Sequence, residues 1–170
     1  GKVVHRTLRI HHKDIYEAYL HSQQLGGRCH VPVTLGAHQT RAFVRWHRDC
    51  GHPTAVLFVD LQEAFYRVLR ELALPGSFED EALAKLAQRL GLGPDILHEL
   101  WKHLQEPCAL DRAGMPACAQ RVVRALHSNT HFQLPQQDDH VQTKLGTRPG
   151  DAYADIVFGF LLARVLHSYE

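Results

Sequence analysis

The chain has no CxxC pair. Its four cysteines, Cys29, Cys50, Cys108 and Cys118, are scattered. That spacing excludes a disulfide scaffold and a paired zinc ribbon, and predicts reduced thiols of an intracellular protein. There is no long hydrophobic run either. The longest, Ala55 to Val59, falls far short of the roughly 20 residues that cross a bilayer, so no membrane role is expected. No secretory signal pattern is visible. Charge of one sign is missing too: 19 Lys and Arg face 18 Asp and Glu. A nucleic-acid role would therefore rest on local placement of cations, since net charge offers no phosphate-binding surplus. Repeats and low-complexity tracts are absent.

What is present fits one ordinary globular domain. Apolar residues make up 45% and charged residues 22% of 170 positions, enough to bury roughly 70% of the unfolded surface. Fourteen histidines are unusually many. The chain opens on Gly1 and stops in an apolar stretch before Glu170, so both ends are expected to be cut.

Periodicity predicts a helix-rich α+β chain. Helical spacing covers residues 3–22 and 37–50, separated by a Gly- and Pro-containing loop at 25–36. Residues 54–60 form a continuous apolar, β-branched run after a Gly-His-Pro break, which predicts a strand buried on both faces. A helix over 62–72 should follow directly. Further helices are expected from a capping-box-like start at 77 to about 90, from Pro94 to about 104, over 113–127 and over 150–168. Weak alternation over 130–146 predicts a hairpin, with Asp138 and Asp139 in a solvated turn.

Chemistry is most legible at Asp60. A carboxylate closing a buried strand is costly unless it is paired, capped or bound to a hard cation. Two readings follow from the residues alone: a cap on the next helix, or a metal ligand at a cleft. His47, Cys50 and His52 gather possible zinc ligands, but no second pair stands at the required spacing. No positioned base accompanies any cysteine, so none is read as a nucleophile.

The residues around Asp60 go further. Phe58, Asp60, Ala64, Phe65 and Val68 match the pattern F-x-D-x-x-x-A-F-D-x-V and resemble the first catalytic motif of reverse transcriptases. Gly146, Arg148, Gly150, Asp151 and Phe158 resemble the family's later motif G-x-R-Q-G-D-P-L-S-P-x-x-F. Gln24, Gly26 and Arg28 resemble the earlier Q-x-G-F-R. Tyr66, Pro149, Ala152 and Ala154 depart from the patterns. The order and spacing are similar to those of non-LTR (LINE-type) retrotransposon enzymes, in the divergent form found in dinoflagellates.

That resemblance implies a partial fingers and palm of a right-hand polymerase with a small antiparallel palm sheet. Residues 1–53 would belong to the fingers and 54–170 to the palm, with a helical insertion over 77–127. It implies an RNA-directed DNA polymerase using an RNA template, a DNA primer, dNTPs and two Mg²⁺ ions, acting in the nucleus beside the rest of a parent polyprotein. Asp60 and the Leu61 carbonyl would hold metal. Phe65 would be the gate against a 2′-hydroxyl, Gly150 would approach the nucleotide, and Gly146, Arg148 and Arg28 would meet the template. The family's Y-x-D-D motif is not among these residues, so the fragment is expected to be inactive. The alternative is a degenerate element-derived domain, serving as a non-catalytic RNA-binding or helical protein-interaction module.

Overall fold

The computed structural model describes residues 2–66, 68–76, 80–134, 139–143, 146–147 and 151–169. Helices dominate: α1 (Lys2–His11), α2 (Lys13–Tyr19), α3 (Thr34–Asp49), α4 (Arg70–Ala73), α5 (Asp80–Leu90), α6 (Pro94–Gln105), α7 (Ala109–Arg112), α8 (Ala117–His127) and α9 (Ala154–His167). Between α8 and α9 lies an antiparallel hairpin, β1 (His131–Gln133) with β2 (His140–Gln142), in which Phe132 faces Val141.

α9 is the axis of the core. Ile156, Val157, Phe160 and Ala163 are buried among Tyr16 and Leu20 at α2, Ala73 and Leu74 at α4, Ala109 and Leu110 in α7, and Ala119 and Val123 in α8. A helix with apolar residues on nearly every side is stable only when it is enclosed. Its ends suit its dipole: Asp155 lies in the first turn, and Arg164 and His167 in the last. Full burial of Phe160 alone is worth about 3 kcal/mol at most. Gly159 lets Tyr16 press against the helix, and the Tyr16 and Phe160 rings meet edge to face at 5.4 Å. Burial pushes the Tyr16 hydroxyl up to about 12. The core draws on both sides of position 53, because α2 packs against α9.

Most of the helical periodicity is realised. The 3–22 run divides at His12, whose ring nitrogen Nδ1 lies 3.0 Å from the Leu8 carbonyl oxygen. Pro94 sits in the first turn of α6 as expected. The hairpin forms within 130–146, with Asp139 exposed. The expected start at residues 77–79, and Asp138, lie outside the described residues.

Two expectations fail together. Residues 54–60 form no strand and are exposed; Leu57 and Phe58 each keep 86% of their surface. A strand buried on both faces needs neighbours to hydrogen-bond and layers to cover it. Among the described residues the hairpin strands pair only with each other, so the apolar run has no sheet to enter. The expected 62–72 helix is also replaced, by turns over 62–66 and by α4. Glu63 adopts φ 54°, a left-handed conformation that ends helical propagation. The Phe65 and Val68 carbonyls accept from a distant segment instead.

Gly159→Ala is expected to destabilise the fold by about 1–3 kcal/mol despite alanine's higher helix propensity. The new Cβ would lie 2.9 Å from Tyr16 Cε2 and closer still to its hydroxyl. Thermal melts check this, and Tyr16→Phe should restore part of the loss. Leu57→Lys should leave Tm unchanged and slow aggregation in light-scattering assays, since an exposed apolar extended run invites intermolecular pairing.

Candidate functional site

Two segments far apart in sequence meet where the motifs are. The Gly146 N–H donates to the Val68 carbonyl at 2.9 Å, and the Thr147 N–H to the Phe65 carbonyl at 2.6 Å. The Thr147 hydroxyl also reaches the Phe65 carbonyl, at 3.3 Å. Gly146 has φ 81°, and a Cβ there would stand 2.6 Å from the Tyr66 carbonyl oxygen. Backbone rides on backbone, which only glycine permits. Above this contact the Phe65 ring lies 5.2 Å from that of Phe158 in α9. The turn after Asp60 is thus bolted to the start of the glycine-rich segment.

Arg70 holds the junction. Its guanidinium donates to the carbonyls of Gly146 (2.6 Å), His127 (2.6 Å) and Thr143 (3.2 Å), and to the hydroxyls of Thr130 (3.1 Å) and Thr143 (3.0 Å). Thr130 and Thr143 also touch each other through their hydroxyls at the base of the hairpin. The planar fork of arginine suits this many acceptors, and a lysine ammonium could not span them. Burial lowers the guanidinium's pKa, and it stays charged because an arginine starts so high.

A second clamp comes from α1. His5 pairs with Asp151, and Arg9 donates to Asp155 at 2.7 Å and to the Ala152 carbonyl at 3.1 Å. Asp151 Oδ1 also accepts from the Tyr153 N–H. The His5 ring stacks 6.5 Å from His127. Burial holds the His127 imidazole below its ordinary value, opposed by its bond to the Val123 carbonyl and helped by the nearby Arg70 charge. At the far end of α9, Arg164 is buried and donates to the carbonyls of Leu72 and His103 and to Glu106.

The other motif residues fall differently. Asp60 is exposed, on a segment without regular structure, and takes no hydrogen bond from the described residues. It caps no helix, since the next one begins at Arg70. Leu61 is 55% exposed. Arg28 turns onto its own loop, donating to the carbonyls of Gln24, Leu20 and His21, so its guanidinium closes the turn after α2. Arg148, Pro149 and Gly150 lie outside the described residues.

Mg²⁺ demands near-octahedral oxygen ligation, and Asp60 with the Leu61 carbonyl supplies one carboxylate and one carbonyl. Among the described residues no group of three or more His, Cys, Asp or Glu could hold a metal. These residues do not by themselves fit a two-ion centre. Cys108 is buried beside Asp111, and burial pushes its thiol up to about 11, which makes it unreactive. No described helix is long and apolar enough to cross a membrane.

Phe65 and Gly146, singled out by resemblance, meet at this junction, whereas Arg70, Arg164, His5 and Arg9 carry no motif. One signal was available. His5 and Arg9 are four residues apart in α1, as are Asp151 and Asp155 at the entry to α9, so one face of α1 can meet both acids.

Comparison with protein-family models, with curated proteins and with solved structures gives no match for this chain.

Arg70→Met should cost about 3 kcal/mol or more, because it leaves several acceptors without a donor. Limited proteolysis should then cut first near residues 143–147. An NMR titration should place His127 below the ordinary imidazole value of about 6.5. A base depressed in the folded state leaves the unfolded chain to take up the proton first. Its contribution to stability is therefore present above about pH 6.5 and lost as pH falls towards the folded value.

Proposed function

We propose that this chain is part of an RNA-directed DNA polymerase, carrying the gate turn and the glycine-rich loop of its nucleotide site. The observation that supports this is the junction. Phe65 and Gly146, picked out by two separate motif resemblances, belong to segments that hydrogen-bond to each other across 82 residues of sequence. A purely fortuitous pattern match gives no reason for the two matched segments to pack together.

On this reading each residue has a limited task. The Phe65 ring, held against Phe158, offers a flat apolar wall against a 2′-hydroxyl. Gly146 brings backbone close because it lacks a Cβ. Arg148 and Gly150 would meet the template and the nucleotide. Asp60 would give one carboxylate to the metal centre, and the remaining acids would come from the rest of the parent polypeptide. Mg²⁺, when bound in a complete centre, would neutralise charge on the attacking and leaving oxygens. The RNA template, DNA primer and dNTP would be shared with that larger assembly, in the nucleus.

One observation favours a second reading, a catalytically silent element-derived domain. Among the described residues Asp60 belongs to no group of three or more His, Cys, Asp or Glu that could hold a metal, and Tyr66 and Pro149 occupy positions where the family pattern has Asp and Gln. Such a domain would keep nucleic-acid contacts and lose nucleotidyl transfer.

The two are separated by photo-crosslinking. With template–primer, Mg²⁺ and a photoactivatable nucleotide, the polymerase reading expects labelling of residues 61–66 or 146–151. Deoxynucleotide should be preferred over ribonucleotide, and Phe65→Val should erase that preference. Absence of labelling above background would sink it. Primer extension by residues 1–170 alone should be undetectable, and robust incorporation would contradict the incomplete centre inferred from Asp60.

A further inference from the structure

α3 buries none of its sixteen residues, and its two exposed flanks differ in chemistry. Gly36, Val44 and His47 are half-buried, and Gly36 rests near Leu25. These three mark the side turned towards the protein. At about 100° per residue, His38, Arg41, Arg45 and Arg48 fall within roughly 80° of arc on one flank, and all are exposed. On the other flank stand Leu35, Phe43 and Trp46; Phe43 and Trp46 keep 51% and 59% of their surface. The outward face runs between the row of cations and Trp46, with Phe43 at the border of the inward side.

None of the three arginines has an ion-pair partner among the described residues. Their surroundings in sequence lack acids as well: residues 18–48 contain no Asp or Glu, and Asp49 stands only at the end of α3. A chain of nearly balanced charge has thus concentrated unpaired cations here. Phe43 and Trp46 stand three residues apart, one turn of the helix, and add exposed aromatic surface beside the cations. The Phe43 and Trp46 rings are also propped by His47, at 4.3 and 4.7 Å between centroids, which limits their freedom before any ligand arrives.

We infer that the outward face of α3 binds single-stranded nucleic acid, with Arg41, Arg45 and Arg48 on the phosphates and Trp46, backed by His47 and Phe43, stacking on bases. Successive arginines along the helix are about 5–6 Å apart, a step that a phosphate backbone can follow. An apolar protein partner would suit the rings and strand three guanidiniums without counter-charge. A duplex would supply phosphates and hide its base faces. An unpaired strand supplies both, and it does so without sequence preference, because every base has a flat face. RNA and DNA share this chemistry. The inference does not depend on Asp60 or on the glycine-rich loop.

The test is fluorescence anisotropy with the whole chain, using oligo(U), oligo(dT) and a duplex of equal length over a salt series. Arg41→Gln, Arg45→Gln and Arg48→Gln combined should flatten the dependence of log K on log salt by about 2, since each lost phosphate contact on a single strand contributes about 0.7. Trp46→Ala should weaken both single strands about tenfold or more and leave weak duplex binding unchanged. Relative affinity for oligo(U) and oligo(dT) tells whether the 2′-hydroxyl is read. All these side chains are exposed, so thermal unfolding should stay as in the wild type. Binding is measured without Mg²⁺ or dNTP, so failure of nucleotide labelling in the polymerase test leaves this result standing. Absence of single-strand binding, an unchanged salt slope in the triple variant, or an unchanged affinity in Trp46→Ala would each overturn the inference. So would a wild-type dimer that Trp46→Ala converts to monomer, because a second copy would then own this face.

Discussion

The Arg70 guanidinium answers to carbonyls from three places at once: the end of α8, the base of the hairpin and the first glycine of the late motif. Those carbonyls, on buried His127 and Gly146 and half-buried Thr143, would be costly without a donor. Only a side chain with several fixed N–H groups can serve them together. The position of the Gly146–Thr147 segment against the Phe65 turn follows from that requirement. Arg70 leads into α4, whose Ala73 and Leu74 are buried against α9, so the polar junction and the apolar core share one short helix. Arg164 repeats the arrangement at the other end of α4, tying the Leu72 carbonyl to that of His103.

This division of labour positions the candidate site without burying it. α9 provides the rigid floor through Val157 and Phe160, and Phe158 rises from it to meet Phe65. α1 fastens the entry to α9 through His5 and Arg9. Both motif segments are therefore held at defined points: the earlier by backbone bonds at Phe65 and Val68, the later by Gly146, Asp151 and Asp155. Asp60 lies upstream of the first of those points, on exposed chain, and nothing in the junction fixes its direction.

Helical periodicity was legible because it depends on local spacing and on one apolar face per element. The α6 and α9 patterns, the Pro94 start and the 130–146 hairpin all emerge at about the expected positions. The Thr54–Asp60 run departs from the strand its spacing predicts for a reason that spacing does not reveal. Whether an apolar β-branched run becomes a strand depends on partners elsewhere, and the hairpin offers none. The 62–72 helix failed because Phe65 and Val68 gave their carbonyls to Thr147 and Gly146, a long-range bond invisible to local propensity. Motif resemblance singles out Phe65 and Gly146, and their backbone and ring contacts carry the junction. It gave no sign of Arg70, since one arginine among many announces nothing until its acceptors are in place. Arg28 shows the reverse: a promising motif cation that serves its own turn.

The junction itself is the claim on which the polymerase reading rests, and solution NMR on the unmodified chain reaches it most directly. Cross-relaxation is expected between the Phe65 and Phe158 ring protons, with slow exchange of the Thr147 amide, whose N–H is buried against the Phe65 carbonyl at 2.6 Å. A Thr147 amide exchanging at the rate of an unstructured peptide, with no contact between those rings, would contradict it.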